Sequence, residues 1–349
     1  MDVRVWSNEY IKRVWELLDS GVDINFQDND GVTVLIAASQ RRQTDIVRLL
    51  LERGANPNIR DNDGDTALSL ASIEGDTNIV QLLLDKGADP NIRDNDGNTA
   101  LIIAVSRRYT DIVRLLLERG ADINIQNSDG KNALIYATLA NYGRMVQLLL
   151  DNGADPNIRD HEGENALIIA VYEGDTEMVQ LLLNKGADPN IRDNDGSTPL
   201  IIASFQGYTE LVRLLLENGA NPNIRDNDGD TAFSTAVENQ NADIVELLEP
   251  HYRSTKIQSR FRGRQTRRKA RTQKAYQQLQ ASRLPVDYEL SRRIGERLSR
   301  MPYNPEVDTR IRDEERQDKE IADYLNTLAQ YGGKKKRKKT KKRKKKSKK

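Results

Sequence analysis

Apolar residues return with a fixed period of 33 along the first 250 residues of the chain. In the unit formed by residues 61–93, one short apolar segment contains Leu68 and Leu70, and residues 79–84 form a second, denser one. Each segment is typical of a short helix, and polar residues separate the two. One such helix pair cannot bury its apolar surface alone, whereas a neighbouring copy can cover it. The pattern therefore predicts a stack of repeated helix pairs.

Turn and capping residues fall at the same places in every unit. Residues 61–64 read Asp-Asn-Asp-Gly, which predicts a turn because Asp and Asn bond their own backbone and Gly tolerates a positive φ. Thr66 is the predicted N-cap of the first helix. Gly87 is predicted to end the second helix in the left-handed conformation. Equivalent N-caps are predicted at Thr33, Thr99, Asn132, Asn165, Thr198 and Thr231.

The repeated pattern Asp-x-x-Gly-x-Thr-Ala-Leu, followed by Val-x-Leu-Leu-Leu-x-x-Gly-Ala-Asp-x-Asn, resembles the ankyrin repeat. The resemblance implies an all-α solenoid of helix-turn-helix repeats with β-turn tips. Histidines that the family often carries are replaced here, for example by Asp76, Asp175 and Tyr208, which predicts somewhat weaker repeats. The predicted repeats are 28–60, 61–93, 94–126, 127–159, 160–192, 193–225 and 226–250.

Both ends of the predicted array differ from its interior. Residues 1–27 contain half a unit, in which Val14 and Leu17 lie 33 residues before their counterparts, and this half-repeat is the predicted N-terminal cap. Near the other end, Glu249 replaces the last apolar residue of the second helix. Pro250 is predicted to end that helix, because a helix interior does not tolerate proline. The repeat domain is therefore expected to stop near residue 250.

Charge divides the chain at the same point. Residues 251–349 contain 33 Lys and Arg against 11 Asp and Glu, a net charge of +22, and residues 1–250 contain 21 against 42, a net charge of −21. An acidic domain and a basic tail can associate at low salt. Cysteine is absent, and neither a signal peptide nor a long apolar run is found. We expect an intracellular monomer in the cytoplasm, the nucleus or both.

A short motif begins the basic part of the chain, within residues 251–275. It resembles the IQ motif, which implies that a calmodulin-like EF-hand protein binds residues 257–270. A bulky apolar residue that the motif usually carries near its end is replaced by Ala270. A simple solvated basic helix and a nucleic-acid contact are the alternatives. The motif residues are Ile257, Gln258, Arg262, Gly263 and Arg267.

The last part of the chain is predicted to contain little packed structure. Residues 276–330 have two short amphipathic stripes, which predict short helices that pack together or dock a partner. Leu284-Pro285 is a minimal resemblance to an F-box-like segment. Residues 331–349 are a predicted disordered Lys/Arg-rich tail, of which 334–349 could bind nucleic acid or an anionic surface without sequence preference. Its nuclear-import-like residues are Lys335, Lys336, Arg337 and Lys338.

One position per repeat is a candidate for partner binding. It follows the Ala-rich part of the first helix and reads Gln40, Ile73, Ser106, Leu139, Tyr172, Phe205 and Glu238 along the chain. Large apolar groups at an exposed position are candidate hot spots, so Ile73, Leu139, Tyr172 and Phe205 are the predicted partner-binding residues. The alternative is that they cover the loop between the two helices. The uniform turn tips favour a structural role or an acidic ladder for a repetitive basic partner.

The sequence offers no constellation for catalysis. His161 lies in a turn tip and His251 in the basic linker, and no nucleophile, phosphate loop or metal spacing accompanies them. A calcium loop at residue 61 is rejected, because Thr66 and Ser72 occupy its required Gly and Glu positions. We therefore expect no enzyme activity, no cofactor and no metal.

The predicted function is a protein-interaction scaffold or adaptor. The Gly-Gly followed by a Lys-rich end resembles ankyrin proteins of giant DNA viruses, which implies a host-directed role. The alternatives are a nucleic-acid-associated or nuclear protein driven by its tail, and a substrate adaptor for a ubiquitin ligase.

Overall fold

The computed structural model describes residues 23–252, and every regular element in that range is a helix. The chain divides into two compact units, residues 1–229 and 230–349. Each predicted unit from 28–60 to 193–225 contains two helices. The first unit contains α1 (Val34–Gln40), α2 (Thr44–Glu52), α3 (Ala67–Glu74), α4 (Thr77–Asp85), α5 (Ala100–Ser106), α6 (Thr110–Glu118), α7 (Ala133–Leu139), α8 (Gly143–Asp151), α9 (Ala166–Tyr172), α10 (Thr176–Asn184), α11 (Pro199–Gln206) and α12 (Thr209–Glu217).

All seven predicted N-caps are confirmed. The Thr66 hydroxyl accepts a hydrogen bond from the Ser69 amide at 3.1 Å, and the Ser69 hydroxyl accepts one from the Thr66 amide at 2.8 Å. Asn132 and Asn165 use their side-chain oxygens in the same way. Each cap pairs an amide that the first helical turn leaves without a helical acceptor. The same caps begin the first helices at Thr33, Thr99, Thr198 and Thr231.

Left-handed residues separate the elements of each repeat. Gly87 has a φ of +83°, as predicted, and lies two residues after the end of α4. A second left-handed position joins the first helix of a repeat to its second helix, and it does not always carry glycine. Gly75 and Gly174 occupy this position in their repeats. Arg108 and Asn141 are at the equivalent position in two other repeats, with φ values of +63° and +47°.

The core of the first unit runs between successive repeats. First helices pack on first helices along the series α1, α3, α5, α7, α9 and α11. Second helices pack similarly, as α2 does on α4 and α4 on α6. Leu83 and Leu116, from successive second helices, are completely buried, and each burial contributes about 1.5–3 kcal/mol. A repeat is therefore stable mainly because its neighbours cover it.

The second unit contains α13 (Ala232–Glu238) and α14 (242–252) among its described residues. The prediction that Pro250 ends the last helix is wrong, because His251 and Tyr252 are also helical. The Tyr252 ring stacks on Phe233 of α13, with centroids 4.5 Å apart and 9° between the planes. This aromatic contact stabilises the turn that follows the proline.

None of the helices in residues 23–252 combines the length and the apolar character that a bilayer crossing needs. Most of the predicted capping half-repeat, 1–27, lies outside the described residues, as do the predicted segments 276–330 and 331–349 and all but the first two residues of 251–275.

Candidate partner-binding surface

The turn tips of successive repeats are joined by main-chain hydrogen bonds. The Asn62 amide donates to the Asp30 carbonyl, and the Asn95 amide to the Asp63 carbonyl, both at 3.0 Å. Bonds of this kind fix each tip against the next, so the tips form a continuous edge of the first unit. The remaining links join Ser128 to Asp96, His161 to Asp129, Asn194 to Glu162, and Asn227 to Asp195.

Side chains reinforce these links in most repeats. The Asn95 amide group donates to the Asn62 carbonyl at 2.8 Å, and its oxygen accepts from Arg60 at 3.1 Å. Arg60 also donates to the carbonyl of Gly64 at 3.0 Å. The uniform Arg-Asp-Asn-Asp tips therefore have a structural role, which the sequence left open. The sequence alone predicted no bonds for these Arg and Asn residues, although their spacing of 33 to 35 residues across repeats is a usable signal.

The residue directly before the glycine of each tip is acidic and exposed. Asp195 and Asp63 are typical, since the main-chain carbonyl of each accepts a hydrogen bond from the next tip while the carboxylate faces solvent. The tip bonds hold these charges one repeat apart. The full set is Asp30, Asp63, Asp96, Asp129, Glu162, Asp195 and Asp228.

Three large apolar side chains lie exposed at the ends of successive first helices. Leu139 ends α7, Tyr172 ends α9, and Phe205 is the next-to-last residue of α11. Their exposed fractions are 49%, 40% and 58%. We call Leu139, Tyr172 and Phe205 the apolar row. The fourth predicted residue, Ile73, is half-buried, and exposed Ser106 separates it from the row.

Carboxylates surround the central member of the apolar row. Partial burial, together with the nearby charges of Asp193, Glu164 and Asp195, raises the pKa of Tyr172 to about 12. The Glu164 and Asp193 carboxyls themselves have raised pKa values, because burial and neighbouring carboxylates disfavour their charged forms. The exposed Tyr172 ring therefore lies beside several carboxylates.

A family model of ankyrin repeats in three copies matches residues 4–94, 75–160, 140–226 and 167–259. The chain belongs to the ankyrin-repeat family. Ankyrin repeats bind protein partners, and the chain is in this general sense a protein-interaction scaffold. The search of curated proteins found no matching relative.

Solved ankyrin structures resemble this fold. The ankyrin repeat domain of Bcl-3, described as a unique member of the IkappaB protein family, is 34% identical with a TM-score of 0.57. That alignment covers 62% of this chain and 100% of the Bcl-3 chain. An ankyrin repeat domain from Acinetobacter baumannii is 33% identical with a TM-score of 0.51, over 53% of this chain and 97% of that one.

The fourth and fifth ankyrin repeats contain a buried ion pair. Asp160 Oδ2 is fully buried and lies 3.2 Å from Lys131 Nζ, and Asp160 Oδ1 accepts from the amides of Glu162 and Glu164. Burial acts to lower the pKa of Lys131, but Asp160 outweighs it and the pKa is raised. Oxygens of Asp160, Glu162 and Glu164 lie within 4.8 Å of one another. Since Lys131 already balances Asp160, we assign this cluster to structure.

The other candidate residues do not all fall in the ankyrin array. His161 belongs to a tip, where its amide and carbonyl join neighbouring tips. The IQ-like residues at 257–267 and the nuclear-import-like residues at 335–338 lie outside the described residues.

Proposed function

We propose that this ankyrin-repeat chain is a non-enzymatic adaptor that holds a protein partner against the apolar row. The proposal rests on one observation: Leu139, Tyr172 and Phe205 are large, exposed and at equivalent positions in three consecutive repeats. Water-exposed apolar groups cost free energy that a partner recovers by covering them. Aromatic residues in particular contribute strongly to the free energy of binding at protein interfaces.

The rigid edge of tips beside the row supports the proposal. Each tip from Asp30 to Asn227 is bonded to its neighbour through the main chain. A partner that binds such a surface pays little entropy for ordering it, so more of the contact energy appears as affinity. Ile73 is half-buried, and we expect it to contribute less than the row.

The test is partner capture from cells that express the full chain and two variants. The double variant Tyr172→Ser/Phe205→Ser removes both aromatic groups of the row, and Gln206→Ala changes an adjacent exposed residue of the same helix. We expect captured partners, quantified by mass spectrometry, to fall at least about tenfold with the double variant. Gln206→Ala should leave the yield unchanged. An unchanged yield with the double variant contradicts the proposal.

A second candidate function belongs to the tail. The observation in its favour is the net charge of +22 on residues 251–349, which can bind nucleic acid through phosphate neutralisation or direct nuclear import. A chain ending at residue 252 separates the two functions. An adaptor keeps its principal partner after this truncation and after nuclease treatment, whereas a tail-driven protein loses its partners.

The same experiment tests two finer expectations. A ubiquitin-ligase adaptor, in a viral setting or elsewhere, should yield a ligase subunit only when residues 276–330 are present. A calmodulin-like partner should depend on residues 257–270, and Ile257→Ala/Arg262→Ala in the full chain should remove it. Recovery of either partner without its segment rules out that expectation.

A further inference from the structure

The carboxylates around the apolar row restrict the chemistry of a partner. Glu164 belongs to the tip of the repeat that contains Tyr172, and Asp193 and Asp195 belong to the next tip. The negative charges of all three help to raise the pKa of the Tyr172 phenol. Glu173, which follows Tyr172 directly, is also exposed. A partner side chain that covers Tyr172 is therefore brought close to several negative charges.

Few described cations neutralise this region. Lys131 is engaged by buried Asp160. Arg159 binds the Gly163 carbonyl at 2.8 Å and the Asn194 oxygen at 3.3 Å, and Arg192 binds the carbonyls of Gly196 and Arg225. These guanidinium groups are directed at main-chain and amide oxygens. Burial first, and then neighbouring carboxylates, raises the pKa values of Glu164 and Asp193, and Lys131 and Arg159 offset only part of this effect.

We propose that the apolar row is a docking surface for an extended basic segment of another protein, in which apolar residues and Arg or Lys residues take turns at every second position, so that both kinds of side chain face the row. The apolar side chains of the segment cover Leu139 and Phe205. A cationic side chain lies over the Tyr172 ring and reaches exposed Asp195 or half-buried Glu164 with its charged end. This inference rests on the proposed function, and it adds the charge and form of the partner.

Charge and shape favour this occupant over a neutral or acidic one. Residues 1–250 carry a net charge of −21, so charge complementarity at this surface favours a basic partner over an acidic one. The row presents one side chain per repeat, and an extended segment presents every second side chain to one face, where apolar and cationic residues can both meet the row. A segment with both apolar and cationic groups therefore matches the row in two respects.

The experiment measures binding of three labelled 12-residue peptides to the full-length chain by fluorescence anisotropy. Ser occupies every second position of each peptide, and the positions between alternate Leu with Arg, with Gln or with Glu, so that both kinds of side chain lie on one face. We expect the Arg peptide to bind at least about tenfold more tightly than the Gln peptide at low salt, and the advantage to shrink at about 0.5 M salt. The Glu peptide should bind more weakly than either.

Two charge variants locate the effect. Asp195→Asn removes a carboxylate beside the row, and Asp30→Asn removes the equivalent exposed carboxylate from the first tip. Both keep the main-chain link between tips. We expect Asp195→Asn to reduce the Arg-peptide advantage about threefold and Asp30→Asn to leave it unchanged. Equal effects of the two variants would overturn the inference, because only the net charge would then matter.

Phe205→Ser separates this inference from the proposed function. The variant should weaken the Arg and Gln peptides alike, since both cover the row with Leu. If the two peptides bind equally and Phe205→Ser weakens both, the basic preference is wrong and the docking surface remains. If Phe205→Ser weakens neither peptide, or if no peptide binds, the docking surface itself is rejected.

Discussion

The Tyr109 ring lies directly over Gly75 of the preceding repeat, so closely that a Cβ atom at Gly75 would come within 2.7 Å of the ring. Gly75 also has a φ of +72°, which a residue with a side chain adopts only at a cost. Tyr208 covers Gly174 in the same way, with a corresponding distance of 3.0 Å. The left-handed glycine between helices thus also makes room for the next repeat.

Gly75→Ala should therefore lower the free energy of unfolding by about 2–4 kcal/mol, through backbone strain and displacement of Tyr109. Gly54→Ala is the matched control, because Gly54 has a φ of +86° but nothing within 4 Å of its added Cβ. It should cost about 1–2 kcal/mol from strain alone. Urea denaturation of both variants measures the difference, and equal costs would show that Tyr109 moves away freely.

The tip ladder predicts a measurable role for Asn95. Asn95→Ala removes the bond to the Asn62 carbonyl and the acceptor of Arg60. We expect a loss of about 1–2 kcal/mol in the free energy of unfolding. Asp96→Ala changes the next, exposed residue and keeps its carbonyl bond to Ser128, so it should cost about 0.5 kcal/mol or less. A loss for Asp96→Ala as large as for Asn95→Ala would disprove the side-chain ladder.

Breaking the Lys131–Asp160 pair should cost more stability than breaking the exposed Lys185–Asp151 pair. Lys131→Met leaves the Asp160 carboxylate buried without its cation, which should lower the free energy of unfolding by about 2–4 kcal/mol. Lys185→Met breaks an exposed pair with Asp151 and should change the free energy of unfolding by about 0.5 kcal/mol or less. Thermal unfolding of the two variants compares them directly. Similar shifts in Tm would mean that Asp160 finds another partner or water.

The raised pKa of Glu164 predicts that Glu164→Gln increases the stability of the fold in a pH-dependent way. Burial, and then the nearby carboxylates, place the folded-state pKa above the unfolded value. The folded state therefore binds the proton more tightly, and this stabilisation is lost as pH rises through the folded-state pKa. Glu164→Gln should unfold at higher urea than the parent chain at pH 7, and the gain should vanish near pH 4.

Glu173→Gln is the control for this pH effect. It removes the same charge from an exposed position beside Tyr172. Its urea midpoint at pH 7 should stay close to that of the parent chain. A gain equal to that of Glu164→Gln would attribute the effect to net charge instead of burial.

Local chemistry explains why the N-caps could be predicted from the sequence. A Thr or Asn at the cap position bonds an amide three residues later, so the relevant partners are adjacent in the chain, as in Thr66 and Ser69. Pro250 was misjudged because the contact that extends α14 joins Tyr252 to Phe233, 19 residues earlier. The expectation that proline ends a helix considers only the neighbouring helical turn.

The candidate surface could be predicted only in part. The 33-residue register identified the positions of Leu139, Tyr172 and Phe205, but it gave no exposure for them, and Ile73 is half-buried at an equivalent position. The bonds of Arg60 and Asn95 extend across two repeats, and a single unit read alone does not reveal them. The carboxylates near Tyr172 belong to the tips of two successive repeats, so a single unit read alone does not reveal that they lie close together.

The arrangement of the apolar row also bears on how its specificity could change. Each repeat places a single side chain at the same point of its first helix, and the caps and tips that hold that point are built from other residues. Replacing Leu139 or Phe205 would alter one position of the surface without disturbing its neighbours. Such a surface is combinatorial, and new partners can be selected by successive single exchanges on an unchanged backbone.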